Sequence, residues 1–116
     1  LTIVSVRVVA LAVGNSYLED MVMTVLEARV SMENRPQLKA AYSSAIRNLE
    51  SGIVETFLTA DTIDGNLWRI YTIWENRAAL DAMRSSGKPP RGVLIFKEAG
   101  ADPVLSILDV VSQAHA

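Results

Sequence analysis

Large residues alternate along positions 67–75, with Trp68, Ile70, Thr72 and Trp74 on one parity. At Glu75-Asn76 the spacing of apolar positions changes from that of a strand to that of a helix. A strand that delivers a tryptophan to the mouth of a helix walls one side of an apolar pocket. Positions 53–59 read as a strand of the same kind and Asp64-Gly65 as a turn, which joins the two strands into a hairpin. Positions 16–30 admit two readings. Ser16 with Glu19 resembles a capping box, and Leu18, Met21, Val22, Val25, Leu26 and Arg29 fall at helical spacing, but Val22, Thr24, Leu26, Ala28 and Val30 also alternate with Met23, Val25, Glu27 and Arg29. The small or apolar even set and the β-branched content favour a strand over about 22–30.

The helical signals lie between these strands. Asn34 is placed to cap a segment with Pro36 in its first turn, and Leu38, Tyr42, Ala45 and Leu49 form one stripe before Gly52 stops it. Asn76 caps a second helix through Met83 that ends near Ser86-Gly87. Pro89-Pro90 opens a short segment in which Val93, Phe96 and Ala99 recur before Gly100, and positions 103–111 read as the last strand. The order β-α-β-β-α-β is the split arrangement of a ferredoxin-like α+β fold, a four-stranded antiparallel sheet with helices on one face.

Parity then assigns the faces. Val22, Thr24, Leu26, Ala28 and Val30; Val54, Thr56 and Leu58; Trp68, Ile70, Thr72 and Trp74; and Ser106, Leu108 and Val110 are expected beneath the helices. The opposite face mixes Val25, Ile53, Phe57, Tyr71, Ile73, Ile107 and Val111 with Glu27, Arg29, Glu55, Arg69 and Asp109. It is too apolar for water alone and too charged for a dry core, so a second subunit's sheet is expected there, with Glu27, Arg29, Glu55, Arg69, Tyr71 and Asp109 at the contact.

Half of the 116 residues are apolar, enough for one domain with a core and too few for two. The expected division is an N-terminal extension over 1–20 and a single domain over 21–116. Positions 2–13 are apolar and β-branched apart from Ser5 and Arg7, a run too short to span a bilayer with a charge at its middle. It reads as an added strand, or as sequence ahead of a natural start at Met21 or Met23. A signal peptide has Ala10-Leu11-Ala12 in its favour and the lack of a basic n-region against it. A formal net charge of −2 disfavours nucleic acid and acidic membrane surfaces as partners. The absence of cysteine removes thiolate chemistry and disulfides and fits a cytoplasmic location. The one histidine, His115, lies next to the C-terminus and reads as a solvated tail residue, so no metal site is expected.

From about Met21 to Val111 the chain resembles the antibiotic biosynthesis monooxygenase family. The resemblance rests on Gly52-Ile53-Val54-Glu55-Thr56, on Trp68-Arg69-Ile70-Tyr71-Thr72-Ile73-Trp74-Glu75, on Ala79-Leu80-Asp81-Ala82-Met83 and on Gly100-Ala101-Asp102-Pro103. It implies a dimeric α+β barrel, a homodimer whose sheets face each other, with a pocket between helices and sheet in each subunit. It also implies oxidoreductase chemistry without a cofactor on a small aromatic phenol or quinol. A base removes the phenolic proton and the electron-rich anion reacts with oxygen. Family members that degrade quinols or haem often carry a histidine in or just beyond the helix after the tryptophan. Here Met83 and Gly87-Lys88-Pro89-Pro90 occupy that region, so a haem ligand is missing.

The chemistry needs an apolar pocket, a hydrogen-bond donor for the developing oxyanion and a proton acceptor. Trp74, Trp68, Tyr42, Asn66, Met83 and Phe96 are the pocket candidates, and Glu55 or Glu27 the acceptors. Each has a plainer reading: the tryptophans and Tyr42 as core, Asn66 as a turn residue, the methionines as fillers, the charges as interface pairs, and Lys88 and Arg91 as flanks of an exposed turn. A dimeric binding or structural module that holds a small apolar molecule without turning it over fits the same residues.

Overall fold

Alternating burial makes β1, Val22–Arg29, the organising strand: Val22, Thr24, Leu26 and Ala28 are buried and the intervening residues are not. The structure, a computed structural model, describes residues 21–114. The extension expected over 1–20 and His115 lie outside the described residues. After β1 come α1 (Arg35–Ala45), β2 (Ile53–Ala60), β3 (Leu67–Trp74), α2 (Arg77–Ser85), α3 (Arg91–Glu98) and β4 (Val104–Asp109). The strands form one antiparallel sheet in the order β2-β3-β1-β4, the ferredoxin-like α+β arrangement expected from the element order. Among the described residues no helix is long and apolar enough to cross a membrane.

The helix ends follow from local chemistry, with one departure. Asn76 caps α2 through its side chain, which accepts a 2.8 Å hydrogen bond from the backbone N–H of Ala79. At the end of α3 the N–H of Ala101 reaches the carbonyl of Phe96 and that of Gly100 the carbonyl of Lys97, and Gly100 takes the positive φ of 71° that this paired closure requires. Asn34 does not cap α1 with its side chain. A 3-10 turn over Met32–Asn34 leads into the helix and leaves Asn34 itself helical. The stripe also ends early: a second 3-10 turn, Ile46–Asn48, tightens the chain after Ala45 and leaves Leu49 in extended conformation.

Leu26, Ala28, Val30, Leu38, Trp68, Ile70, Ile95 and Phe96 form the larger part of the core, between sheet and helices. A smaller cluster of Val22, Trp74 and Leu80 lies under α2. Two close approaches fix the helices to the sheet. A Cβ on Gly52 would lie 2.5 Å from Cβ of Ala79 in α2, and one on Gly92 in α3 would lie 2.5 Å from Cδ1 of Leu26 in β1.

The helix-facing parity holds for β1 and β3 and needs correction in the two edge strands. In β2 a bulge intervenes: Ile53 pairs with Trp74 and Glu55 with Ile73, so Val54 is the extra residue. Ile53 therefore turns inward against Val22, Trp74 and Leu80, while Val54 is 42% exposed. In β4 the register pairs Leu26 with Leu105, Thr24 with Ile107 and Val22 with Asp109. Leu105, Ile107 and Asp109 thus share the helix-side rows, and Ser106 and Leu108 point to the other face. Both parities of β4 are apolar, so the pattern alone could not choose; pairing with β1 does. Asp109, expected at the opposite face, makes a 3.1 Å ion pair with Arg77 of α2.

Candidate active site

The middle of the helix-side face carries a row of hydroxyls. Thr56, Thr72 and Thr24 occupy matching positions on β2, β3 and β1, directly opposite one another in the registers of the central strands. Threonine suits these positions because its β-branched body packs on the pleat while its hydroxyl remains available for a partner. Tyr42, on the inner face of α1, donates to Oγ1 of Thr56 at 3.2 Å, and Thr56 and Thr72 stand 3.5 Å apart, oxygen to oxygen. At the far side Nε1 of Trp74 donates to Oγ1 of Thr24 at 3.2 Å, a buried bond that satisfies both groups.

Above this row lies a cavity of about 110 Å³. Its floor is Thr24, Thr56, Thr72, Ile70 and Trp74; its walls include Tyr42, Ala45, Ile53, Leu80, Met83 and Val93; Glu50, Arg84 and Arg91 belong to the same lining. The absence of a side chain on Gly92 lets α3 approach β1 closely beside this space. Arg91 secures the rim. Its Nη1 donates to the carbonyls of Asn48 and Ala45, and its Nε stands 3.6 Å from Oε1 of Glu50. These contacts tie the start of α3 to the turn that ends α1. Arg84, by contrast, is exposed and has no hydrogen-bond or ion-pair partner among the described residues.

Of the pocket candidates, Tyr42, Trp74 and Met83 line the cavity; Trp68, Asn66 and Phe96 lie outside it. Phe96 is fully buried in the main core. Trp68 donates from Nε1 to the carbonyl of Gly65 at 3.2 Å, with Arg35 and Lys39 about 6 Å from its ring centre. Asn66 braces the hairpin: its Oδ1 accepts from Arg35 at 2.6 Å and its carbonyl from the N–H of Val30 at 2.8 Å. Neither Glu27 nor Glu55 lines the cavity; both sit in the rows of the opposite face. The carboxylate that does line it, Glu50, was missed by sequence reasoning, as was Arg84. The threonines were recognised only as members of the helix-facing set.

On the opposite face the charges find partners within the chain. Arg69 bridges Glu27 at 2.7 Å and Asp61 at 3.2 Å, and Arg29 pairs with Asp64 at 2.8 Å. Asp61 accepts backbone N–H bonds from Asp64 and Ile63, and these together with Arg69 hold its carboxyl below the usual range. The Arg29 guanidinium and the N–H of Asn66 do the same for Asp64, while Glu27 and Asp61 push Arg69 up. These groups stabilise the β2–β3 hairpin end of the sheet. The two rows beyond them are mostly apolar: Phe57, Tyr71, Val25 and Ser106, then Glu55, Ile73, Met23 and Leu108.

Fold and site together define a small ferredoxin-like α+β protein with an apolar cavity between helices and sheet. The chain belongs to the antibiotic biosynthesis monooxygenase family, whose sequence profile matches residues 21–88. No curated protein matches it. Among solved structures it is similar to a conserved protein from Methanosarcina mazei Go1, at 15% identity over 82% of this chain and 97% of that one, with a TM-score of 0.65. It is also similar to Rv0793 from Mycobacterium tuberculosis, at 16% identity over 82% of this chain and 99% of that one, with a TM-score of 0.58. A third is SnoaB, a cofactor-independent oxygenase from Streptomyces nogalater, at 13% identity over 81% of this chain and 96% of that one, with a TM-score of 0.56. At these identities the likeness is one of fold.

Proposed function

We propose that this protein is a homodimeric, cofactor-independent monooxygenase that oxidises a small phenol or quinol in the cavity above the threonine row. The observation that carries the reading is the cavity itself, an apolar space floored by the hydroxyls of Thr56, Thr72 and Thr24 between Tyr42 and Trp74. The aromatic and aliphatic walls hold a ring, and the Tyr42–Thr56–Thr72 chain holds a phenolic oxygen by donating to it or accepting from it. Glu50, the carboxylate in the lining, is the proton acceptor, held at the rim 3.6 Å from Nε of Arg91. The phenolate then reacts with dioxygen. One oxygen atom replaces a ring C–H with C=O, the other leaves as water, and the substrate supplies the electrons, so phenol plus dioxygen gives quinone plus water.

The apolar rows centred on Val25, Tyr71 and Ile73 are the homodimer contact, sheet against sheet. Their neighbours Arg69, Glu27 and Asp61 already form ion pairs within the chain and flank the contact as a polar rim.

Oxygen uptake by the purified full chain tests the activity directly. With a panel of phenols and hydroquinones, uptake is expected in the absence of any absorbing cofactor, and Glu50→Gln lowers it by about a hundredfold. A second reading, a binding module that holds the same molecules unchanged, draws on the mutual bonding of the floor hydroxyls. Fluorescence quenching at Trp74 without uptake or product across the panel would establish that second reading and contradict the first.

A further inference from the structure

Among the described residues the lining of the cavity is apolar along its walls and carries charge only at Glu50, Arg84 and Arg91. These charged groups are unequally engaged. Arg91 spends its donors on the carbonyls of Ala45 and Asn48 and lies against Glu50, so the pair is neutralised and held by the fold. Arg84, projecting from the last turn of α2, keeps its guanidinium unpartnered among the described residues. The lining therefore carries one net positive charge, located on a side chain with all its donors available. A guanidinium in that state matches a planar carboxylate with two parallel hydrogen bonds.

Size narrows the ligand further. An apolar cavity of roughly 150 Å³ holds a benzene molecule, and the space here is about 110 Å³. That volume makes one six-membered ring the upper limit of what the space encloses, with a ring substituent projecting toward the exposed guanidinium. Taking the cavity as the substrate site, as proposed above, we infer that its ligand is a single-ring hydroxylated aromatic acid, with the ring between Trp74 and Met83, the hydroxyl on the Tyr42–Thr56–Thr72 chain and the carboxylate on Arg84. Arg84 is the specificity-determining residue of the site, and Arg91 holds the rim in place without binding the acid.

The test compares para-hydroxybenzoate with para-cresol, which have the same ring and hydroxyl and differ in the acid group. Binding to the full chain is followed by tryptophan fluorescence at low ionic strength. The acid is expected to bind about tenfold tighter, the effect of one charge-assisted contact at a partly solvated site, and salt is expected to shrink that ratio. Arg84→Gln brings the ratio near one, and Arg84→Lys restores part of it. Because Arg84 is exposed and makes no hydrogen bond or ion pair among the described residues, both variants are expected to fold. A ratio near one in the unsubstituted protein, or a preference that survives Arg84→Gln, overturns the inference and leaves the cavity reading standing, since para-cresol still binds. A hydroxynaphthoate that binds more tightly than para-hydroxybenzoate overturns the single-ring limit. Failure of every ligand to quench overturns both this inference and the cavity reading beneath it.

Discussion

The bond between Nε1 of Trp74 and Oγ1 of Thr24 links the candidate site to the core, because both residues are buried and each is the other's partner. Thr24→Val keeps the shape and removes the acceptor, leaving an indole N–H buried without a partner. A loss of about 1–3 kcal/mol in denaturant unfolding is expected, and a loss near zero would mean that water replaces the hydroxyl. At Gly52 a side chain meets two obstacles, a φ of +92° and the Cβ of Ala79 at 2.5 Å. Gly52→Ala is expected to cost on the order of 2 kcal/mol and to displace α2, which supplies Leu80, Met83 and Arg84 to the cavity. At this scale periodicity made the inward-facing bulky residues legible but not which of them border the space: Trp74, Tyr42 and Met83 do, while Trp68 and Phe96 pack in the core. Glu50 and Arg84 were not legible. They sit beyond or near the ends of helices, and only the packing of α2 and α3 against the sheet brings them to one space.

Among the elements, β3 was readable because its faces differ in kind, with Trp68, Ile70 and Trp74 buried on one and Arg69 and Tyr71 on the other. β4 and the start of β2 were not. Ile53 and Val54 are equivalent as hydrophobes, as are Leu105 and Leu108, so the bulge and the pairing register decide what local composition leaves open. The β2–β3 hairpin carries a prediction of its own. Asp61 and Asp64 have folded-state pKa values below the ordinary 3.8, so the stability they contribute is complete above that value and is lost as pH falls through their lower folded values. Acid unfolding of Asp64→Asn is expected to show a shallower dependence on pH below about 4 than the unsubstituted chain. An identical dependence would remove Asp64 from the account. In α2, Asn76→Ala deletes the cap on Ala79, for an expected loss of about 1 kcal/mol.

For the whole molecule, the sheet divides two kinds of surface. Its helix side holds the core and the cavity; its other side presents apolar rows edged by ion pairs formed within the chain. The proposed pairing of two sheets predicts twice the chain mass in sedimentation. Placing a carboxylate at the middle of the apolar rows, Tyr71→Asp, is expected to give a monomer, because an unpaired charge does not tolerate a dry contact. A monomer in the unsubstituted protein would remove the homodimer and leave the cavity, which is built from one chain.

The claim on which the functional account rests is that a small aromatic molecule enters the space beside Trp74. The chain has two tryptophans, and only Trp74 lines the cavity, so a proton–nitrogen correlation spectrum carries one indole N–H signal from the site and one from outside it. On titration with para-cresol the Trp74 signal is expected to move while that of Trp68, bonded to the carbonyl of Gly65, stays in place. Two unmoved signals, or a shift confined to Trp68, would contradict it.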